Sequence, residues 1–132
     1  MPPIRVLVVE DDSSFRQFLC SVLQKQLSTP SICEVEDGLA AVQEAGALQP
    51  DLVLLDIGLP NLNGIEVAKR IRTSCPQSKI LFVSEEWDAD IREAALDTGA
   101  EGYVVKFSAG VDLPSVLNAV LLGKSFLSGR AP

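Results

Sequence analysis

The feature that most restricts this chain is a set of short runs too apolar to alternate. Ile4 to Val9 (IRVLVV), Leu52 to Asp56 and Lys79 to Val83 (KILFV) carry hydrophobic, mostly branched residues at nearly every position. Ser31 to Glu36 and Ala100 to Val105 complete a set of five. A strand with one wet face alternates apolar and polar residues, whereas a strand without alternation is covered on both sides.

Between these runs the period changes. Phe15, Phe18, Leu19, Val22, Leu23 and Leu27 recur at helical spacing, as do Leu113, Val116, Leu117, Val120 and Leu121. Each set forms one apolar stripe. Asp12, Ser13 or Ser14 is placed to cap the first helix, and Asp112 the last, with Pro114 in its opening turn. Three more helices are expected. Leu39 to Leu48 follows an Asp37-Gly38 turn, Gly64 to Cys75 stops before Pro76, and Asp88 to Thr98 stops at Gly99.

Strands buried on both faces and alternating with helices define an α/β fold. The expected architecture is a doubly wound, five-stranded parallel sheet with five helices, a three-layer sandwich. Such sheets carry their sites at the carboxyl ends of the strands, near the point where strand order reverses. Here Glu10, Asp11 and Asp12 follow the first strand, Asp56 ends the third, Ser84 the fourth and Lys106 the fifth. Four strand ends bring chemistry to one edge.

Composition narrows what that chemistry is. The 132 residues include no histidine, which removes Ser-His and Cys-His nucleophile pairs and imidazole metal sites. The 18 acids outnumber the 11 bases for a net charge of −7, which disfavours direct contact with nucleic acid. Cys20, Cys33 and Cys75 are an odd number in unrelated surroundings, expected as reduced thiols. No apolar run reaches the roughly 18 residues of a membrane span, and MPPIRVLVVEDD lacks the pattern of a signal peptide. A cytoplasmic protein with no membrane contact is the expectation.

Carboxylates gathered from two strand ends repel one another unless a cation lies between them. With oxygen ligands alone, Mg²⁺ is the expected ion, keeping several of its waters. A free aspartate side chain is ionised at neutral pH, so Asp56 needs no adjacent base to act as a nucleophile. Phosphorus is its natural electrophile, giving an aspartyl phosphate. The Lys106 ammonium and the Ser84 hydroxyl suit the neutralisation of phosphoryl oxygens. Each residue also has a plainer reading. Asp11 and Asp12 could be helix caps, Lys106 a solvated strand end, Tyr103 a core aromatic, and Gly58, Pro60 and Gly64 turn formers. Accidental convergence of four strand ends is the weaker account.

At this point the motifs resemble a known family. VLVVEDD, LVLLDIGLPNLNG, ILFVS and GYVVK match, in order, the response-regulator receiver domain of two-component signalling, over the chain up to about Gly123. The resemblance implies a flavodoxin-like, CheY-like fold. It implies that Asp56 accepts phosphate from the phosphohistidine of a sensor histidine kinase. Asp11 and Asp56 would hold Mg²⁺, with Glu10 assisting and Gly58 adding its backbone carbonyl. Lys106 would contact the phosphoryl group, and Ser84 and Tyr103 would be the hydroxyl and aromatic switch residues. The switch would alter the face made by the fourth helix, fifth strand and fifth helix. Self-phosphorylation and dephosphorylation, rather than turnover of a substrate, would be its only chemistry.

Two positions depart from the family pattern. The residue after the lysine is usually a proline in a cis peptide; here it is Phe107. A cis bond without proline costs roughly 2.5–4 kcal/mol, so a trans link is expected. The position after the switch hydroxyl is usually small, and here it is Glu85, followed by Glu86. An anion there would obstruct attacking water or repel the incoming donor, making Glu85 a modulator of phosphate loss.

The segment LPSVLNAVLLGKSFLSGRAP is similar to the last helix and linker of receivers in the NarL/LuxR class of transcription factors. A receiver over residues 1–123 and the start of a linker over 124–132 to an output domain is the expected division, with a stand-alone receiver as the alternative. DNA would be met only through that output domain. Ala119 and Leu122 lie off the stripe of the last helix, which suits a homodimer. The competing functions are an Mg²⁺-dependent aspartyl-phosphate phosphatase or phosphotransferase, and a degenerate receiver that binds partners without phosphorylation. Against the enzyme, the haloacid-dehalogenase pattern needs an aspartate two residues after the nucleophile, where this chain has Gly58.

Overall fold

The computed structural model describes residues 3–123 and the backbone of 126–127. In chain order the elements are β1 (Arg5–Val9), α1 (Ser13–Gln26), β2 (Ser31–Val35), α2 (Gly38–Leu48), β3 (Leu52–Leu55), α3 (Gly64–Ser74), β4 (Lys79–Ser84), α4 (Ala89–Leu96), β5 (Gly102–Val105), a short 3₁₀ turn (Lys106–Ser108), α5 (Ala109–Leu121) and β6 (Phe126–Leu127). The strands pair in parallel in the order β2-β1-β3-β4-β5-β6. The chain therefore winds outward from β1 to β2, then returns to the other side of β1 with β3. The reversal in strand order falls between β1 and β3, so the carboxyl ends of these strands flank the crevice of the sheet.

Both faces of the sheet are dry. Leu7 and Val9 of β1 join Val53, Leu55, Ile80 and Phe82 under α2, α3 and α4. Their neighbours Val6 and Val8 join Leu52, Leu54, Leu81 and Val83 under α1 and α5. Successive side chains of a strand point to opposite faces, so an unbroken apolar run is the sequence that two covered faces require.

Side-chain caps begin most helices. Asp12 accepts from Phe15 N at 2.8 Å and Asn63 from Glu66 N at 3.1 Å. Asp88 accepts from the Asp90 and Ile91 amides. Asp37 also caps α2, with Gly38 as the first helical residue, so Asp37-Gly38 is a helix start rather than a free turn. The last helix differs from expectation too. The turn after β5 runs directly into it, so α5 begins at Ala109 with Ser108 in the cap position. Asp112 is then a buried residue within the first turn, not the cap, and Pro114 lies inside the helix. All three cysteines are free thiols, and burial pushes the Cys20 thiol up to about 11.

The expected linker, 124–132, lies outside the described residues except for Phe126–Leu127. Those two backbones add a strand beyond the expected five, pairing Gly102 with Phe126 and Tyr103 with Leu127.

One glycine fixes how the loop after β3 returns. A methyl group on Gly64 would overlap the carbonyl of Asp56, and the Gly64 amide donates to the Ile57 carbonyl at 2.8 Å. The first turn of α3 thus packs directly on the backbone of Asp56. Gly64→Ala should lower stability by about 1–3 kcal/mol through overpacking, read as an earlier urea midpoint. Equal midpoints for the two proteins would remove this close approach from the account.

Candidate functional site

β1, β3 and β5 deliver three charged groups to one point. Glu10 follows β1 and is fully buried, Asp56 follows β3 and is nearly so, and Lys106 follows β5. Lys106 Nζ lies 2.8 Å from Glu10 Oε1 and 3.1 Å from Asp56 Oδ2. The same ammonium sits 4.6 Å from the centre of the Phe15 ring, which floors it from α1. The remaining carboxylate oxygens meet backbone: Asp56 Oδ1 accepts from Ile57 N at 2.7 Å, and Glu10 Oε2 from Asp12 N at 3.0 Å. Arg16 donates to the Glu10 carbonyl at 2.9 Å while pairing with Glu34 and Glu36, which braces the end of β1 against β2.

The electrostatics follow from burial. Desolvation raises the Glu10 carboxyl above its ordinary range, against the opposing pull of its bonds to Lys106 and the Asp12 amide. Burial works against the Lys106 ammonium as well. Its bond to Glu10 and the charge of Asp56 outweigh that, and it titrates above its usual value.

Asp11 is exposed, yet the carboxylates of Glu10, Asp11 and Asp56 offer ligand atoms all within 4.8 Å of one another. Three acids exceed the single ammonium. Glu10 Oε1 is buried, and the Lys106 ammonium faces it at 2.8 Å. An all-oxygen, net negative donor set of this kind fits a hard divalent cation such as Mg²⁺. Around it lies a cleft of about 300 Å³, lined by Glu10, Asp11, Asp12, Asp56, Gly58, Ser84, Glu85, Glu86 and Lys106.

Every residue singled out from the sequence for the acceptor, metal or phosphate-contact roles therefore lines this cleft. Ser84 is buried at its wall and accepts from the Glu86 amide at 3.2 Å. Tyr103 lies beneath it, fully buried, and donates its hydroxyl to the Glu86 carbonyl at 2.8 Å. Burial raises its phenol above the ordinary value. Glu85 is exposed at the rim. Among the described residues no peptide is cis, so Lys106–Phe107 is trans, and Phe107 is exposed. Sequence reasoning missed the Phe15 ring under Lys106, the Arg16 brace and the Glu86 carbonyl as partner of Tyr103. Phe15 and Arg16 had only the helical period as a signal, and a backbone carbonyl leaves none.

Residues 6–118 match the family model described as the response regulator receiver domain. The chain belongs to the response regulator receiver family. The receiver is 32% identical over 135 residues to the transcriptional regulatory protein LnrK of Bacillus subtilis (strain 168), covering 92% of this chain and 61% of LnrK. It is 36% identical over 124 residues to a protein-glutamate methylesterase/protein-glutamine glutaminase of Geobacter sulfurreducens, covering 92% of this chain and 34% of that protein. A crystal structure of a LuxR-family two-component response regulator from Aurantimonas superposes with a TM-score of 0.88 at 26% identity, over 96% of this chain and 91% of that one. The receiver thus spans less than two thirds of the length of each of these two curated relatives. Among its described residues no helix is long and apolar enough to cross a membrane.

Lys106 offers a direct test of the charge balance. A lysine whose ammonium is stabilised in the fold contributes stability that is complete below its unfolded value of 10.5 and is lost as pH rises through the higher folded value. At neutral pH Lys106→Met should cost about 1–3 kcal/mol, by leaving Glu10 and Asp56 without their counter-charge. Denaturant titrations should show the gap between the two proteins narrowing as pH rises above 10.5. A gap that stays constant with pH would mean the ammonium carries none of it.

Proposed function

We propose that Asp56 accepts a phosphoryl group from the phosphohistidine of a partner histidine kinase. The observation that carries this reading is the gathering of Glu10, Asp56 and Lys106 from three strand ends, with Asp11 within metal-sharing distance. Asp11, Asp56 and the Gly58 carbonyl would hold Mg²⁺, with Glu10 assisting. Bound there, the ion would neutralise charge on the phosphoryl oxygens. The chain's own groups do the rest. A carboxylate oxygen of Asp56 attacks phosphorus, and the P–N bond breaks with its electron pair passing to the imidazole. Lys106 Nζ, already 3.1 Å from Asp56 Oδ2, turns from its carboxylates to the new phosphoryl oxygens. Ser84 supplies a hydroxyl donor at the cleft wall.

Two bonds then tie the site to β5. Ser84 holds the Glu86 amide and Tyr103 holds the Glu86 carbonyl. Drawing the Ser84 hydroxyl toward phosphate alters one of these, and Tyr103 answers from β5. We infer a population shift in the face made by α4, β5 and α5. Transcription is the output we propose, by analogy with LnrK, through a DNA-binding domain beyond an inter-domain linker starting near residue 124. A homodimer through α5, where Leu122 is exposed, and a cytoplasmic location complete the proposal.

Nothing in the loop after Asp56 can serve as an acid or base for rapid turnover, which favours a switch over a phosphatase. Acetyl phosphate with Mg²⁺ should add one phosphoryl group by intact mass to the wild type and none to Asp56→Asn. Mg²⁺ alone should raise the melting point, equivalent to about 2.7 kcal/mol at a hundredfold excess over its dissociation constant, and Asp11→Asn should lose most of that gain. An unmodified wild type would favour the phosphorylation-independent binder. Steady release of inorganic phosphate at many turnovers per second would favour the enzyme.

A further inference from the structure

The Lys106 ammonium has a third neighbour that its two carboxylates do not account for. An ammonium carries three N–H donors at the end of a long, rotatable stem. Glu10 Oε1 and Asp56 Oδ2 lie 2.8 Å and 3.1 Å from Nζ, and the centre of the Phe15 ring lies 4.6 Å from it. Phe15 is itself well fixed. Its amide donates to Asp12 Oδ2 at 2.8 Å, and the next residue, Arg16, donates to the Glu10 carbonyl at 2.9 Å. The Phe18 ring, one helical turn on, packs against it with centroids 5.3 Å apart and a tilt of 41°. Phe15 is half-buried against the core layer under α1 and α5, and it does not line the cleft. A leucine would continue the apolar stripe of α1 equally well. Only an aromatic ring turns a negative face to the cation.

We propose that Phe15 is a positioning residue for phosphoryl transfer, its ring face anchoring the Lys106 ammonium while that ammonium exchanges a carboxylate oxygen for a phosphoryl oxygen. The proposal rests on Asp56 being the phosphoryl acceptor. When an Asp56 oxygen bonds to phosphorus, the donor's own bond to phosphorus breaks and its electron pair leaves with the departing group. The negative charge that Lys106 faced at Asp56 then moves outward onto the phosphoryl oxygens. Glu10 and the ring are the two contacts that outlast this exchange. A ring attracts the ammonium over a whole face rather than along one lone pair. The ammonium can therefore pivot on it from one oxygen to the next without leaving the site. Without that face, the same movement depends on a flexible stem held by Glu10 alone.

The test replaces Phe15 alone with phenylalanines carrying one, two and three ring fluorines, which keep the ring's shape while draining its negative face. Phosphorylation by acetyl phosphate at saturating Mg²⁺ is read by intact mass, and stability by the urea midpoint. The logarithm of the phosphorylation rate should fall steadily along the series, by about three- to tenfold at its end. The urea midpoint should fall in step. In a Lys106→Met background the series should leave the midpoint level, because no cation remains to couple with the ring. Phe15→Leu should lose about as much rate as the most fluorinated ring, and Phe15→Tyr should restore it. A rate indifferent to fluorination overturns the proposal and leaves Phe15 a packing residue, with the acceptor reading untouched. A midpoint that moves equally with and without Lys106 overturns it too. A wild type that acetyl phosphate does not modify at Asp56 overturns the acceptor reading and this proposal together.

Discussion

The Lys106 ammonium, shared between Glu10 and Asp56, is the contact on which the site depends. Two carboxylates at buried strand ends repel one another and have lost their water. Each alone would be costly, and together they would push the ends of β1 and β3 apart. One lysine from β5 supplies both with a counter-charge, which fixes the relative positions of three strands. It does so incompletely. With Asp11 close by, the cluster remains net negative, so the geometry that makes it stable also leaves it receptive to a divalent cation.

That balance is possible because the sheet is dry on both faces. A strand gripped by two hydrophobic layers holds its terminal side chain to a narrow range of positions. The close approach of α3 to the backbone of Asp56, which only glycine at position 64 allows, serves the same end. So does Arg16, by tying the Glu10 carbonyl to β2. The Asp56 carboxylate is held by its own backbone neighbour Ile57 and by Lys106, while the cleft in front of it stays open.

The rim of that cleft is a different kind of structure. It is made by a loop rather than by strand ends, and its polar groups face water. It is still held: Ser84, Tyr103 and the Trp87–Arg92 stack fix its backbone from below. Ser84 and Tyr103 thus both bond the Glu86 backbone, one at its amide and one at its carbonyl.

The sequence by itself determined the architecture and the membership of the site. Strands buried on both sides must read as unbroken apolar runs, helices must carry a 3.6-residue stripe, and parallel crossovers bring all strand ends to one edge. Those periodicities are local, so they can be read without coordinates, and Glu10, Asp11, Asp56, Ser84 and Lys106 followed from them. Tertiary structure decided what local pattern cannot encode. The start of α5 at Ala109 rather than at Asp112 depends on how the turn after Lys106 meets the helix. The pairing of Phe126–Leu127 with β5 depends on which edge is free for a two-residue strand. The Phe15 ring under Lys106 and the Tyr103 bond to a backbone carbonyl join residues distant in the chain. Such contacts depend on distances across the folded core, and a linear pattern carries no record of those distances.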